Sequence, residues 1–473
     1  MEEKPYFITT PIYYVNSTPH IGSAYTTVAA DVYNRFIKVF KKRKTAFLVG
    51  TDEHGAKIAE AAAKSGQEPQ AYVDELAESF RKTWELLGIS YQRFIRTTDK
   101  DHIATVEGFL QNLFDKGFIT KGVYEGLYCV GHEKFMSSEE LVDGKCPEHD
   151  RVAEPYKEEN YFFRLGEFKN QLFDLINEDK IEIWPIERKN EILGKLEVGL
   201  EDISISRANV PWGIPVPFDK THTIYVWIDA LINYYTFGKP QGLWPADLHL
   251  VGKDILWFHS VIWPAMLLAI GEEPPQKVFA HGFFTISGSK MSKTLGNVIA
   301  PKELVDKFGV NGARYLLLSS FPFGSDGDFD WARLIEKYNS DLANGIGNLT
   351  SRITTLAAGV SGLSVGNLPG IFNYEKSMGE LDFYNAVGAI QELVKKADQY
   401  LNTEKPWTLS EEEKKPILQN LLGMLAAVAS LVSPFMPQTS EKIFSALGLS
   451  RGLEESAGME LKITKSVTLF PRL

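Results

Sequence analysis

The chain has 473 residues, more than the roughly 250–300 that one hydrophobic core supports, so we expect two or three domains. Hydrophobic residues make up 44% and charged residues 23%, a composition that excludes a disordered or fibrous protein. No apolar stretch reaches the roughly 18–20 residues of a membrane span, and the first residues lack the pattern of a secretory signal. We therefore expect a cytoplasmic protein without membrane association.

The balance of charges bears on nucleic-acid binding. The formal net charge of −11 repels a polyanion at long range, so composition alone argues mildly against an RNA partner. An RNA would have to meet local basic surface, and residues 41–44, with the sequence KKRK, are one candidate. Because a short charge run is more often the solvated end of a helix, both interpretations stay open.

The first third of the chain alternates strand and helix patterns. Residues 5–15 are β-branched and aromatic, and residues 24–42 have the apolar spacing of a helix. Residues 45–55 and 56–65 repeat this order. Because consecutive βα units build parallel sheets, we predict an α/β protein with a Rossmann-like parallel-sheet catalytic domain.

The α/β pattern breaks near residue 120 and returns after residue 221. The segment between is turn-rich and carries both cysteines, which predicts an inserted connective domain. From about residue 334, long helical patterns follow one another without strands, which predicts a C-terminal α-helical bundle. The predicted domains are 1–120 and 222–333 for the two halves of the sheet domain, 121–221 for the insert and 334–473 for the helical bundle.

A possible nucleotide site lies at the first strand-to-helix turn, in Pro19, His20, Ile21 and Gly22. Gly22 lets a flat ring approach the backbone, and a helix N-terminus offers partial positive charge to phosphates. His20 can donate a hydrogen bond to a phosphate group that gains charge in the transition state. The alternative is a capping or core histidine, and four residues alone do not decide between the two.

A second possible phosphate site lies in a Gly/Ser-rich segment, 288–294, with the sequence GSKMSKT. It carries Lys290 and Lys293, three positions apart. Lysines on a flexible loop can follow the charge of a triphosphate as it moves toward pyrophosphate. The alternative is a solvated surface loop.

A metal site is predicted from two Cys-x-x-His pairs. Cys129 and His132 are followed, 13 residues later, by Cys146 and His149. This spacing suits one tetrahedral zinc, and four protein ligands imply a structural ion with no open position for catalysis. The alternative is two buried thiols and two surface histidines.

The two phosphate motifs together resemble the signatures of the class I aminoacyl-tRNA synthetases, His-Ile-Gly-His and Lys-Met-Ser-Lys-Ser. The order of the two motifs and their separation along the chain agree with those of the class I signatures. Residues 290–294 differ from the second signature only by a threonine in place of the last serine. Ser23 replaces the second histidine, so it can donate a hydrogen bond to a phosphate but cannot bring an imidazolium charge. The resemblance implies that His20, Gly22, Ser23, Lys290 and Lys293 bind ATP with Mg²⁺, with His20, Ser23 and both lysines as catalytic residues.

Within class I the chain is similar to the methionyl-tRNA synthetase family over nearly its whole length, in phrases such as FITTPIYYVNSTPHIG, GTDEHG, YVWIDALINYY and HLVGKDI. Aromatic edges and apolar walls suit a thioether, and a carboxylate such as that of Asp52 can pair with the substrate ammonium. For any single aromatic residue, ordinary core packing is the alternative. The resemblance implies a methionine pocket at Ile12, Tyr14, Asp52, Trp227, Ala230, Leu231, Tyr234, Ile255, His259 and Trp263.

The same resemblance implies anticodon binding by Asn348, Arg352 and Trp407 in the helical bundle. Amide, guanidinium and indole groups can stack on bases or bond to their edges. An intrahelical pair between Asn348 and Arg352, and a core position for Trp407, are the alternatives. A zinc knuckle in the inserted domain also fits the family, although Cys-Cys-Cys-His is the pattern we would expect more readily.

The expected activity is ATP-dependent formation of methionyl-adenylate and transfer of methionine to both initiator and elongator tRNA(Met). We expect a monomer, because no oligonucleotide-binding barrel follows the bundle. The rival functions are a nucleotidyltransferase of similar fold, which would not need a helical RNA-binding bundle, and a non-catalytic tRNA-binding paralogue, for which Ser23 is the argument.

Overall fold

The structure is a computed structural model. It describes residues 3–129, 134–136, 141–147, 151–208, 210–286, 288–290, 298–366, 368–449, 461, 463 and 468–473. The chain forms two compact units. Unit 1 comprises Met1–Thr18, Ala46–Lys82 and Tyr91–Ala280, and unit 2 comprises Pro19–Thr45, Thr83–Ser90 and His281–Leu473.

The strands are numbered in chain order. They are β1 (Tyr6–Tyr14), β2 (Thr45–Asp52), β3 (Arg93–Arg96), β4 (Ile119–Cys129), β5 (Lys134–Met136), β6 (Lys145–Cys146), β7 (Arg151–Val152), β8 (Glu154–Phe163), β9 (Glu182–Trp184), β10 (Ile203–Ser204), β11 (Ser206–Arg207), β12 (Pro215–Val216), β13 (Asp219–Ile224), β14 (Leu248–Gly252), β15 (Lys277–His281), β16 (Phe284–Ile286), β17 (Ser289–Lys290) and β18 (Gly327–Phe329).

The helices are numbered in the same way. They are α1 (Ile21–Phe40), α2 (Ala56–Lys64), α3 (Pro69–Leu86), α4 (Lys100–Asp115), α5 (Lys169–Asn177), α6 (Ile186–Val198), α7 (Val226–Gly238), α8 (Trp263–Ile270), α9 (Pro301–Ser319), α10 (Trp331–Lys337), α11 (Asn348–Ala357), α12 (Phe372–Gly379), α13 (Phe383–Glu404), α14 (Glu411–Val432) and α15 (Pro437–Leu447). Short 3-10 turns lie at Leu165–Phe168, Lys253–Ile255 and Pro406–Thr408, and π-helical turns lie at Phe258–Ile262 and Tyr338–Gly347.

Unit 1 is built on a six-stranded sheet in the order β3-β2-β1-β14-β15-β9. The pairs β1 with β14, β2 with β3, and β15 with β9 run parallel. Strand β2 is buried at every residue after Thr45, as expected for a strand covered on both faces. The prediction of a Rossmann-like parallel-sheet domain is confirmed.

The strand order of this sheet reverses direction at β1. The chain runs outward from β1 to β2 and β3, and it returns after the insert as β14 on the other side of β1. Open parallel sheets bind ligands beyond the carboxyl ends of the strands at such a reversal. The segments that follow β1, β2 and β14 are therefore where unit 1 should hold a ligand.

The segment between β3 and β14 is mostly antiparallel. It forms a sheet in the order β10-β8-β4-β5, a smaller sheet in the order β11-β13-β12, and the β6–β7 pair. One of its strands lies elsewhere, because β9 adds to the edge of the parallel sheet beside β15. The sequence pattern did not indicate this edge strand, which is only three residues long.

Unit 2 joins α1 and α9 to a small sheet, β17-β16-β18, and to the helices α10–α15. The predicted succession of helices after residue 334 is confirmed. Helix α14 is long and apolar enough to cross a bilayer by length and composition, and 72% of its apolar window is buried inside the protein. A buried core helix can have the same length and composition.

Candidate active site

His20 is the N-cap of helix α1. Its ring Nδ1 accepts a hydrogen bond of 3.0 Å from the backbone N–H of Gly22. Ser23 completes the cap, because its hydroxyl donates to the carbonyl of His20 at 2.8 Å and accepts from the His20 N–H at 3.2 Å. The reciprocal bonds fix the backbone at the start of the helix.

The cap determines which nitrogen of His20 carries its proton. Because Nδ1 accepts, the neutral ring is protonated at Nε2, so this nitrogen is the hydrogen-bond donor. The donor lies at the positive end of a 20-residue helix, where an anion is stabilised. The capping alternative is thus what the structure shows, and it is compatible with a phosphate ligand at Nε2.

Ser23 has a role that the sequence pattern did not indicate. It is buried, with 6% of its surface exposed, and its hydroxyl bonds to both backbone groups of His20. The usual capping box has Ser or Thr at the N-cap and Glu or Gln three residues later, so a histidine followed by a serine does not show it in the sequence. Its predicted hydrogen bond to a phosphate stays a prediction.

Another histidine of unit 2, His281, holds the first turns of α1. His281 donates from Nδ1 to the carbonyl of Gly282 at 2.7 Å, so its Nε2 accepts from the Thr26 hydroxyl, also at 2.7 Å. Burial lowers the pKa of His281 to about 4, against the opposing effect of the bond to Gly282. The His281 ring is therefore neutral at physiological pH. Helix α1 is also held by the N–H of its first residue, Ile21, which donates to the carbonyl of Ile299.

The second phosphate motif is only partly described. Lys290 lies in β17, where its backbone pairs with Thr285 of β16. The strand is preceded by Gly288, whose φ of 76° favours glycine and whose N–H bonds to the Asp328 carboxylate at 2.9 Å. Lys293 lies outside the described residues.

The predicted methionine pocket lies in unit 1, with four of its residues on α7. Residues 227, 230, 231 and 234 follow helical spacing, so one face of α7 carries them all. The others after α7 lie in the 3-10 turn at Ile255, in the π-helical turn at His259, and at the start of α8 at Trp263.

The structure brings Tyr234, His259, Trp263 and Ile255 together. The Tyr234 hydroxyl lies 2.8 Å from Nε2 of His259, and its ring centre lies 6.3 Å from that of Trp263. His259 donates from Nδ1 to the carbonyl of Ile255 at 2.9 Å, so its Nε2 accepts from Tyr234. Trp227 stacks on Phe258, with ring centres 4.4 Å apart.

The polar pair in this cluster is uncharged. Burial lowers the pKa of His259 to about 4, and it raises the pKa of Tyr234 above its ordinary value. A neutral imidazole and a neutral phenol beside the indole ring of Trp263 form a polarisable, uncharged wall. Such a wall suits a thioether better than it suits a charged side chain.

Ile12 and Tyr14 lie on β1, and Asp52 ends β2. The two strands are joined beyond their ends by the bond from Val15 N–H to the carbonyl of Asp52, at 3.0 Å. Gly50 of β2 permits close packing against both β3 and β1, because a Cβ there would lie 2.2 Å from the carbonyl oxygen of Ile95 and 2.8 Å from a methyl group of Ile12. Asp52 is thereby held at the carboxyl end of the sheet, with 6% of its surface exposed.

The predicted zinc ligands are described only in part. Cys129 ends β4 and Cys146 lies in β6, and both are buried in one small cluster with Met136. His132 and His149 lie outside the described residues. Among the residues that are described, no three His, Cys, Asp or Glu side chains form a metal-binding group.

The predicted anticodon residues are accessible in unit 2. Asn348 begins α11 and is exposed, and Trp407 is 50% exposed in the turn before α14. The core alternative for Trp407 is therefore wrong. Arg352 bonds to the carboxylate of Asp398 and to the side-chain oxygen of Asn402, both on α13, and not to Asn348.

Comparison with known families identifies the class of protein. Residues 6–154 and 148–354 match the family of tRNA synthetases class I (M). Residues 371–470 match the anticodon-binding domain of tRNA ligases. These matches place the chain in class I of the tRNA synthetases.

Individual relatives identify the family within this class. The methionine–tRNA ligase of Caldanaerobacter subterraneus subsp. tengcongensis is 44% identical over 509 residues, covering 100% of this chain and 79% of the relative. That of Streptomyces coelicolor is 39% identical over 525 residues, covering 99% and 97%. The Mycobacterium tuberculosis methionyl-tRNA synthetase, in complex with methionyl-adenylate, superposes with a TM-score of 0.90 at 34% identity, covering 100% of this chain and 99% of the other. The chain belongs to the methionine–tRNA ligase family.

Proposed function

We propose that this protein activates L-methionine with ATP and transfers it to tRNA(Met). In the first step a carboxylate oxygen of methionine attacks the α-phosphate, and pyrophosphate leaves. In the second, a terminal ribose hydroxyl of the tRNA attacks the methionyl carbonyl, and AMP leaves. No covalent enzyme intermediate is needed, so the residues act by positioning and by charge stabilisation.

The observation that carries the proposal is the cap of α1. His20 presents an Nε2–H donor at the positive end of a helix, in a chain that matches the ligase family over its whole length. We assign His20, Gly22, Ser23, Lys290 and Lys293 to ATP and its Mg²⁺. His20 and the two lysines stabilise the negative charge that grows on the phosphates, and Ser23 keeps His20 in place.

The methionine site is assigned to Ile12, Tyr14 and Asp52 at the strand ends and to the α7–α8 residues. The Asp52 carboxylate pairs with the substrate ammonium. The thioether lies against Tyr234, His259 and Trp263, whose contacts form one uncharged cluster. The remaining members of the proposed site are Trp227, Ala230, Leu231 and Ile255.

The helical bundle is assigned to the anticodon. Trp407 offers an exposed ring for base stacking, and Arg352 is held one turn after Asn348 by its bonds to α13. A structural zinc is assigned to Cys129, His132, Cys146 and His149, and the packing of both thiols into one small cluster supports it. Action on initiator and elongator tRNA, a cytoplasmic location and a monomeric state complete the proposal and rest on family resemblance.

Methionine-dependent exchange of labelled pyrophosphate into ATP tests the activity. Neither a nucleotidyltransferase nor a non-catalytic tRNA-binding paralogue shows exchange that depends on methionine. Two variants test His20. His20→Ala loses both the cap and the Nε2 donor, whereas His20→Asn keeps a good capping side chain but is too short to donate from the position of Nε2.

We expect both variants to lose exchange by at least about 100-fold, as when one transition-state donor is removed, and His20→Asn to keep the melting temperature of the wild type. A His20→Asn protein with normal exchange would show that His20 is a cap and no more.

A further inference from the structure

We propose that Asp229, His54 and His102 form a positioning unit that holds the loop after β2 against helix α7 and thereby sets the affinity for methionine. None of the three is assigned to contact the substrate. The proposal rests on the methionine site described above, because Asp52 ends β2 directly before this loop and Trp227, Ala230, Leu231 and Tyr234 lie on the helix.

Asp229 is a buried carboxylate in the first turn of α7, with 1% of its surface exposed. One of its oxygens accepts from Nδ1 of His54 at 2.7 Å, and the other accepts from Nε2 of His102 at 2.8 Å. A carboxylate only accepts, so each histidine must present an N–H to it. A buried carboxylate is stable only with such partners, which makes this three-residue contact a strong constraint on geometry.

The charge state of Asp229 agrees with this arrangement. Burial disfavours its ionisation, but the Coulombic attraction of His54 and the hydrogen bonds from His102 and His54 hold the pKa of the carboxyl below its ordinary value. Asp229 is therefore ionised, and the two imidazole rings, buried with it, face the same negative charge.

His54 links the unit to Asp52, which precedes it by two residues. Further contacts with Trp212 hold this loop. The indole N–H of Trp212 donates to the carbonyl of Glu53 at 2.6 Å, and the Gly55 N–H donates to the carbonyl of Trp212 at 3.0 Å. The His54 ring also meets that of Trp212, at a centre distance of 5.5 Å.

The residue between Asp52 and His54 is also fixed. Glu53 has no exposed surface, and its carboxylate accepts two bonds from the Arg96 guanidinium, at 2.7 and 2.8 Å. The hydroxyl groups of Thr51 and Thr98 donate to the same carboxylate. Glu53 therefore secures the loop to β3, while His54 is the residue that secures it to α7.

His102 attaches α7 to α4 on the side of α7 opposite the predicted pocket residues. Its Nδ1 lies 3.1 Å from the hydroxyl of Thr236, two turns after Asp229 on the same side of the helix. The pocket residues Trp227, Ala230 and Tyr234 follow the other side of α7. His102 therefore contacts α7 at both Asp229 and Thr236. These two contacts fix the rotation of the helix about its axis, and with it the direction in which the predicted pocket residues face.

The test measures the KM for methionine and the KM for ATP separately, in pyrophosphate exchange. We expect His54→Ala to raise the methionine KM about tenfold or more, because a hydrogen bond to a buried charge is lost, and to leave the ATP KM within about twofold. His54→Asn should recover most of the loss, since an asparagine amide can donate from the position of Nδ1. Asp229→Asn should behave like His54→Ala, because one histidine then loses its acceptor.

Asp247→Asn is the matched control. Asp247 is another buried carboxylate of unit 1, with 4% exposure, and it binds the Phe7 N–H and Lys4. It has no assigned place in the methionine site, so its substitution should lower stability without changing the methionine KM. If the methionine KM rises as much in Asp247→Asn as in Asp229→Asn, the rise reflects a general loss of stability and contradicts the positioning unit.

The outcomes separate this inference from the proposed function. A wild-type protein without methionine-dependent exchange contradicts the proposed function. A wild-type protein that exchanges normally, with His54→Ala and Asp229→Asn variants of unchanged methionine KM, contradicts the positioning unit alone. If Asp229→Asn does not fold by circular dichroism, the contrast between His54→Ala and His54→Asn decides, and equal KM values in those two would overturn the inference.

Discussion

Arg314 and Asp31 form an ion pair of 2.7 Å in which neither side chain has exposed surface. The guanidinium also donates to the carbonyls of Phe435, Pro434 and Leu87. Asp31 in turn accepts from the N–H of Ser90 and from Arg35. One buried cluster within unit 2 thus joins the helix that His20 caps, helix α9 and the segment after α14.

Arg314→Leu should destabilise the protein by about 3–5 kcal/mol, because it leaves the Asp31 carboxylate buried and without its main counter-charge. Denaturant unfolding followed by circular dichroism measures this. Lys302→Ala is the control, since Lys302 and Asp306 form an exposed pair on the same helix, with side chains 70% and 60% exposed. That variant should stay within about 0.5 kcal/mol of the wild type, and similar losses in both variants would contradict a special role for the buried pair.

Stability should fall with acid in a way that depends on His281. Its folded pKa is about 4, below the ordinary 6.5, because of burial. Between these values the unfolded chain binds a proton that the folded chain excludes, so the stabilisation is complete above about pH 6.5 and is lost as the pH falls toward 4.

His281→Asn removes this titration and keeps a donor for the carbonyl of Gly282. From pH 6.5 to 5 the wild type should lose about 1.5 kcal/mol more than the variant, as read from urea midpoints. His249 and His259 also have pKa values lowered by burial, so both proteins should retain a common acid sensitivity. Parallel stability curves for the two proteins would show that His281 takes up its proton when folded.

Zinc analysis tests the inserted domain. We expect one zinc per chain in protein purified without chelator, and none in Cys146→Ala, because a closed site needs all four ligands. Removal of the metal should expose residues 129–149 to protease and leave the parallel sheet folded. Protein without stoichiometric metal would instead support the alternative of two buried thiols in an apolar cluster with Met136.

Trp407→Ala should slow tRNA charging by roughly 5- to 150-fold at limiting tRNA and leave pyrophosphate exchange intact, because base stacking contributes about 1–3 kcal/mol. Phe372→Ala is the matched control in the same helical region, with its aromatic ring 76% exposed. It should affect neither reaction. Equal loss of charging and exchange in Trp407→Ala would contradict a role confined to the anticodon.

The elements of this fold are readable because their signals are local. The strand patterns of residues 5–15 and 45–55 and the helical spacing of residues 24–42 correspond to β1, β2 and α1 within a few residues. Alternation of strands and helices then suffices to predict a parallel sheet. The three-residue strand β9 carries no such signal, since its place in the sheet depends on pairing with β15, far along the chain.

The candidate site was predictable only as far as its motifs. His20 and Ser23 are visible in a four-residue motif, but the bond between Nδ1 and Gly22 depends on a rotamer that no pattern specifies. The contact of Asp229 with His54 and His102 joins residues 175 and 127 positions apart. Such contacts follow from the packing of helices on the sheet, and a single sequence does not reveal them.

Ser23→Ala tests whether the serine that replaces a signature histidine acts as a cap. The variant removes the hydroxyl that bonds to the N–H and carbonyl of His20, so the helix start should lose about 1 kcal/mol of stability. Without these bonds the backbone of His20 is less restrained, so its ring is positioned less well. Pyrophosphate exchange should slow by about tenfold, with a smaller change in the ATP KM. Ser23→Thr, which keeps the hydroxyl, is the control and should retain most of both stability and exchange. An alanine variant of wild-type stability and slow exchange would show that the Ser23 hydroxyl contacts the phosphates directly, as the resemblance to the signature motif first suggested, and does not act through His20.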